Sequence, residues 1–164
     1  LAEAKAQEIP ASGTALVSPL DGKLVDLSEV NDEAFAGGVL GDGMAVIPMK
    51  GELYAPADAT IDTVFDSKHA ISMACDNGAE LLLHVGLDTV KLEGRYFEPA
   101  VKNGDRVKAG DLLMKFDIKA IQKEGFDVVT PIIITNSDEY ELKKATKGAV
   151  KSGAAILAFV KKEV

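Results

Sequence analysis

Cysteine is almost absent from this chain, histidine nearly so, and basic charge is in short supply. Cys75 stands alone, so no intrachain disulfide can form and a reducing compartment is the expected setting. Its position at a strand end assigns it to packing. Eighteen Lys and Arg stand against 26 Asp and Glu, for a net charge of −8. That leaves no basic stripe for nucleic-acid phosphates or for an anionic membrane surface. It favours a partner with basic residues, although the same excess also keeps proteins soluble. No run of 18 apolar residues occurs, which excludes a membrane-spanning helix, and no signal-peptide pattern opens the sequence.

What is present is a succession of short β patterns. Residues 1–14 are rich in Ala, Glu and Lys, pass through Pro10 and Ser12-Gly13, and read as a linker or disordered segment. Residues 15–164 suit one domain. Apolar runs at 15–17, 23–27, 44–47, 53–55, 60–65, 97–100, 128–130, 132–135, 140–143 and 155–160 are separated by Gly, Pro, Asn and Asp turns. Between 103 and 114 strand and turn alternate. Asn31-Asp32-Glu33 opens a single helical turn, and 117–125 is the one clear helix, capped by Asp117 and ended by Gly125. Pro131 belongs at a strand edge or bulge, because it has no N–H for a ladder. Ser18-Pro19-Leu20-Asp21-Gly22-Lys23-Leu24 is echoed by Ala55-Pro56-Ala57-Asp58-Ala59-Thr60-Ile61. Either a strand–turn–strand unit is duplicated, or Pro-x-Asp turns merely recur. The pattern predicts an all-β antiparallel sandwich or barrel with internal pseudo-duplication and one or two short helices.

The two histidines fall in neighbouring strands. Residues 81–83 are continuously apolar between Asp76-Asn77-Gly78 and Gly86, and end on His84; His69 lies fifteen positions earlier. Asn77-Gly78 predicts a two-residue type I′ hairpin with Ile71 opposite His84 and His69 one diagonal step away. A loop at Asp76-Asn77 would set His69 directly opposite His84. Either register puts both imidazoles on one face, about 4.5–8 Å apart at Cβ; a three-residue loop would put them on opposite faces. A neutral imidazole is a nucleophile near pH 7, and a second one beside it can hydrogen-bond the oxygens of a transferring phosphoryl group. Gly86, lacking a Cβ, lets its backbone approach closely, and its carbonyl can hold the Nδ1 proton of His84 so that Nε2 is free. Two bland readings compete: each histidine is a satisfied core residue, or the pair plus a carboxylate binds zinc, without a Cys pair or His-x-His to complete the set.

Residues 78–90, with a glycine, an apolar run into His84, Gly86 and then Thr89-Val90, resemble the active-site signature of the glucose-type IIA domain of the bacterial phosphoenolpyruvate-dependent sugar phosphotransferase system. The resemblance runs from about residue 18 to 161 and includes His69 and the turns Gly41-Asp42-Gly43 and Gly104-Asp105. It implies that His84 accepts a phosphoryl group from the histidine carrier protein HPr and hands it to a IIB domain, with His69 in support. Ser67 stands where threonine orients that second histidine in the family. Asp32 and Asp88 match acidic positions flanking the site. Phe35, Phe65, Ser72, Leu82 and Val90 match the docking surface, with Ile71 beside them. No cofactor is implied beyond the phosphoryl group on His84. The setting implied is cytoplasmic, with membrane association only through the permease and regulatory targets as further partners.

Three other readings fit parts of the sequence. A biotinyl- or lipoyl-type carrier presents a lysine in a tight hairpin; Met49-Lys50-Gly51 is the only candidate and lacks the second methionine. A lysostaphin-type zinc peptidase needs a third histidine, and the chain has two. A regulatory binding module without chemistry would use an apolar patch around Phe35, Phe65 and Leu82.

Overall fold

The computed structural model describes residues 14–163; the expected linker lies almost wholly outside the described residues. Thr14, assigned to it, is instead the first residue of a strand. The strands are β1 (Thr14–Val17), β2 (Gly22–Asp26), β3 (Asp42–Pro48), β4 (Glu52–Tyr54), β5 (Ala59–Val64), β6 (Ala70–Cys75) and β7 (Glu80–His84) in the first half. They continue as β8 (Phe97–Pro99), β9 (Arg106–Val107), β10 (Leu112–Phe116), β11 (Thr130–Ile134), β12 (Tyr140–Lys144), β13 (Gly148–Val150) and β14 (Ala155–Lys161). Helices α1 (Glu33–Ala36) and α2 (Ile118–Lys123) are capped by Asp32 and Asp117, whose carboxylates accept from Ala34 N and Ala120 N. These carboxylates satisfy N–H groups that a helix start leaves unpaired.

All pairings are antiparallel. One eight-stranded sheet runs β13-β2-β3-β11-β7-β6-β5-β9, and two three-stranded sheets run β1-β14-β12 and β4-β10-β8. The main core fills the space where Leu24, Val46, Ile61, Ile71, Leu81 and Leu83 of the large sheet meet Leu16, Leu53, Leu113 and Phe159 of the small ones. The predicted β-sandwich is therefore the fold.

The duplication is real. Val17 N–H donates to Pro56 O at 3.0 Å, and Tyr54 N–H donates to Pro19 O at 2.8 Å. Gly153 N–H meets Ser18 O as Gly110 N–H meets Ala55 O, both at 2.9 Å. The Asp21 carboxylate accepts from Ser152 N (2.7 Å) as the Asp58 carboxylate accepts from Ala109 N (2.9 Å). The sequence echo thus marks two halves related by a pseudo-two-fold, with β11 and β7 at the centre of the large sheet.

The halves differ on the outer face of that sheet. Between β2 and β3, residues 27–41 fold over it, and Leu27, Val30 and Phe35 bury Val25, Ala45, Val129 and Ile133 in a second, smaller core. The matching connection between β5 and β6 is only a tight turn, so that half of the face stays uncovered.

One expectation was wrong in detail, and one strand was not foreseen. Pro131 is in β11, an interior strand. Its pairing with β7 stops at Ile132↔Leu83, so the proline sits beyond that ladder and opposes only Ala45 of β3. β13 escaped notice because three residues carry no alternation to read.

Candidate functional site

The β6–β7 hairpin builds the site, but not in the predicted register. Ala70 pairs with His84, Ser72 with Leu82 and Ala74 with Glu80. The loop is three residues, 76–78: Gly78 N–H donates to Cys75 O at 3.0 Å and Gly78 has φ +99°. This is the bulged hairpin, in which glycine supplies the left-handed residue instead of the second residue of a type I′ turn. Strict alternation would then separate the histidines. They meet nevertheless, because His69 precedes β6 and follows Lys68, whose φ is +61°. The tight turn at 65–68, closed by Lys68 N–H to Phe65 O at 2.7 Å, leads directly into His69, whose carbonyl accepts from Val85 N–H at 2.8 Å.

The result is a row of four rings. Phe65 and His69 stand 5.9 Å apart, His69 and His84 4.7 Å, and His84 and Phe35 5.0 Å, between centroids. The two imidazoles are nearly perpendicular, at 82°. His69 is buried and His84 half-buried. His84 Nδ1 lies 2.7 Å from Gly86 O, which fixes the tautomer with Nδ1–H donating and the Nε2 lone pair available. Gly86 has φ +82°, and a Cβ there would meet Thr89 Cγ2 at 2.5 Å and Asp127 O at 2.8 Å. The glycine is thus required by its backbone and its neighbours, beyond the close approach anticipated from sequence.

Electrostatics keep the rings neutral. Burial, then the His84 charge, lower the His69 pKa to about 4, with the Ser67 backbone opposing. Burial also lowers the His84 pKa, opposed by the Gly86 carbonyl and by the charges of Asp32 and Asp88. Both carboxylates act on His84, Asp32 from the start of α1 and Asp88 from a left-handed position at φ +59°. Ser67 acts differently from the expectation. No hydrogen bond joins its hydroxyl to His69, and His69 Nδ1 is buried without a partner. What Ser67 contributes is the charge distribution of its backbone, which opposes the lowering of the His69 pKa.

The other predicted residues divide. Phe65 and Val90 are exposed, 38% and 50%, and Leu82 and Ser72 are half-buried on the open half of the outer face. Phe35 is buried at 4% and forms the wall behind His84 instead of an open docking surface, because residues 27–41 fold it inward. Ile71 is fully buried in the main core. Thr89 carries a function that sequence reasoning missed: its buried hydroxyl donates to Val85 O at 2.6 Å and braces the turn that holds Gly86. Its place beside Val90 in the motif was the available signal. Cys75 is buried with its pKa raised to about 12 by burial and by Asp76, as suits a packing residue. Among the described residues, no three His, Cys, Asp or Glu side chains gather to hold a metal ion.

A family model described as "phosphoenolpyruvate-dependent sugar phosphotransferase system, EIIA 1" matches residues 14–140. The chain belongs to this EIIA family. It is 46% identical over 161 residues to the beta-glucoside-specific EIIBCA component of Dickeya chrysanthemi, covering 98% of this chain and 26% of that protein. It is 46% identical over 133 residues to the glucose-specific EIIA component of Bacillus cereus, covering 81% of each. The glucose permease IIA from Mycoplasma capricolum superposes with a TM-score of 0.85 at 37% identity, over 94% of this chain and 100% of that one. The chain thus spans about a quarter of the EIIBCA proteins, at 26% and 23% of two of them. The family is the EIIA component of the sugar phosphotransferase system. Among the described residues no helix is long and apolar enough to cross a membrane.

Proposed function

We propose that this EIIA domain carries a phosphoryl group on His84, taken from phospho-HPr and passed to a IIB domain. The observation behind this reading is the imidazole pair, 4.7 Å apart, with His84 Nδ1 tied to Gly86 O at 2.7 Å. The tie leaves Nε2 as the nucleophile. Its lone pair attacks phosphorus, the bond from phosphorus to the donor's imidazole nitrogen breaks, and the electron pair returns to that ring. Positioning and charge stabilisation do most of the work in such transfers. In this reading His69, 4.7 Å away ring to ring, hydrogen-bonds the phosphoryl oxygens. Asp32 and Asp88 repel a dianion, which favours onward transfer over storage. Docking uses Phe65, Ser72, Leu82 and Val90, with Phe35 supporting the ring from behind. No cofactor is needed in this reading, and the cytoplasm is the compartment that supplies phospho-HPr.

The test is phosphorylation by phosphoenolpyruvate with purified Enzyme I and HPr, followed by mass. The parent should gain one acid-labile, base-stable phosphoryl group. His84→Ala should gain none, and His69→Ala should be labelled but unable to pass the group on. A parent that takes no phosphoryl group would sink the carrier reading. The two-histidine face would then be examined for zinc.

A further inference from the structure

We propose that Asp62 is the electrostatic contact for the phosphoryl donor, a carboxylate set in the open groove to pair with a basic side chain of a freely diffusing protein. The inference rests on the carrier reading. It starts from an irregularity in β5: Ile61 pairs with Met73 but Thr63 pairs with Ser72, so Asp62 is an extra residue in a β-bulge. A bulge re-aims a side chain and is a frequent device beside functional sites. Here the Asp62 carboxylate accepts from the Ser72 hydroxyl at 3.3 Å. Ser72 in turn faces Leu82, two residues before His84.

The other half of the fold supplies an internal control. Lys23 pairs with Ile47, and Val25 with Ala45, without interruption. Val25, the counterpart of Asp62, is a buried apolar residue beneath residues 27–41. The uncapped half has an exposed carboxylate at that place. There it borders a groove of ≈ 410 Å³ with Phe65, Ser72, Ala74, Glu80 and Leu82. The groove lining holds two carboxylates and no lysine or arginine. An occupant therefore has to bring an apolar surface for Phe65 and Leu82 together with a cation for Asp62.

Two proteins exchange phosphoryl groups with an EIIA domain in the carrier reading. In the EIIBCA relatives B, C and A form one component, whereas the glucose-specific EIIA relatives match this chain over most of their length; in the carrier reading a diffusing donor is common to both arrangements, so the donor is the partner that needs steering in either. A tethered acceptor has a high effective concentration whatever its charge. A separate donor must find the site by diffusion, where opposite charge raises the encounter rate.

Transfer from phospho-HPr is measured on the intact chain, as parent, Asp62→Asn, Asp62→Lys and Asp62→Glu, with Glu163→Gln as an exposed charge-loss control far along the sequence. Asp62→Asn should raise the donor KM about three- to tenfold at low salt with kcat within about twofold, and Asp62→Lys should raise it further. The gap should close as salt rises from about 20 mM to about 500 mM. Asp62→Glu and Glu163→Gln should keep the parent's salt dependence. If the parent is labelled and Asp62→Asn matches it in KM and salt slope, Asp62 merely accepts from Ser72; this proposal fails while the carrier reading stands. Slowing only of transfer to a purified IIB domain would overturn the donor assignment. A parent that accepts nothing from phospho-HPr removes the carrier reading and this proposal together.

Discussion

At the scale of single residues, the site is a pair of neutral imidazoles held where protonation is costly. His69 has a measurable thermodynamic consequence. A histidine in the unfolded chain titrates near 6.5, and the folded one is lowered to about 4 by burial first and His84 second. Between those values the unfolded chain binds a proton that the folded chain does not, so stability falls as pH drops through that window and levels below it. At 1.36 kcal/mol per unit this amounts to about 3 kcal/mol. Urea unfolding of parent and His69→Gln at pH 7.5 and 4.5 checks it. The parent should lose up to about 3 kcal/mol more than the variant, since the carboxylates contribute alike to both. Equal losses would show that His69 is not held neutral by the fold.

At the scale of elements, the sequence carried the strands and the caps further than the pairings between them. Asp32 and Asp117 were legible as helix starts because a short carboxylate before a polar turn is a local chemical device. The hairpin register was not, since Asn77-Gly78 serves a two-residue turn and a bulged three-residue one equally well. The imidazoles do meet, but not through the pairing that a two-residue loop predicts. The pleat argument failed, and the positive φ of Lys68 supplied what it lacked. Phe35 shows the same limit. Its motif position implied docking, but whether residues 27–41 turn that ring inward depends on the second core, which local pattern does not specify. Phe35→Ala should therefore cost about 3–5 kcal/mol in denaturant unfolding, the loss expected for a buried aromatic residue, where a docking residue at the surface would cost under about 0.5. It should also increase the mobility of the His84 ring, read by NMR line shapes, because the ring 5.0 Å behind it is gone.

For the whole molecule, a nearly symmetric scaffold carries a strongly asymmetric site. Lys23 pairs with Ile47 as Thr60 pairs with Ala74, which aligns Gly43 of β3 with Ala70 of β6. Gly43 faces Ile133 in β11, and Ala70 faces His84 in β7. The catalytic candidate and a buried isoleucine thus occupy equivalent places, and the difference is made by the 27–41 cover over one of them. The symmetric parts should then behave as duplicates. Asp21 and Asp58 each accept one backbone N–H from the opposite turn, and they share no hydrogen-bond partner. Asp21→Ala and Asp58→Ala should each cost about 1 kcal/mol, and the double variant should cost about the sum, within ~0.5 kcal/mol. Chemical denaturation of the four proteins at neutral pH measures both terms. A double variant far more damaged than the sum would mean that the two turns hold one shared structure instead of two copies of one device. Phosphoryl acceptance should be unaffected in either single variant, since neither turn contributes a residue to the ring of groups around His84.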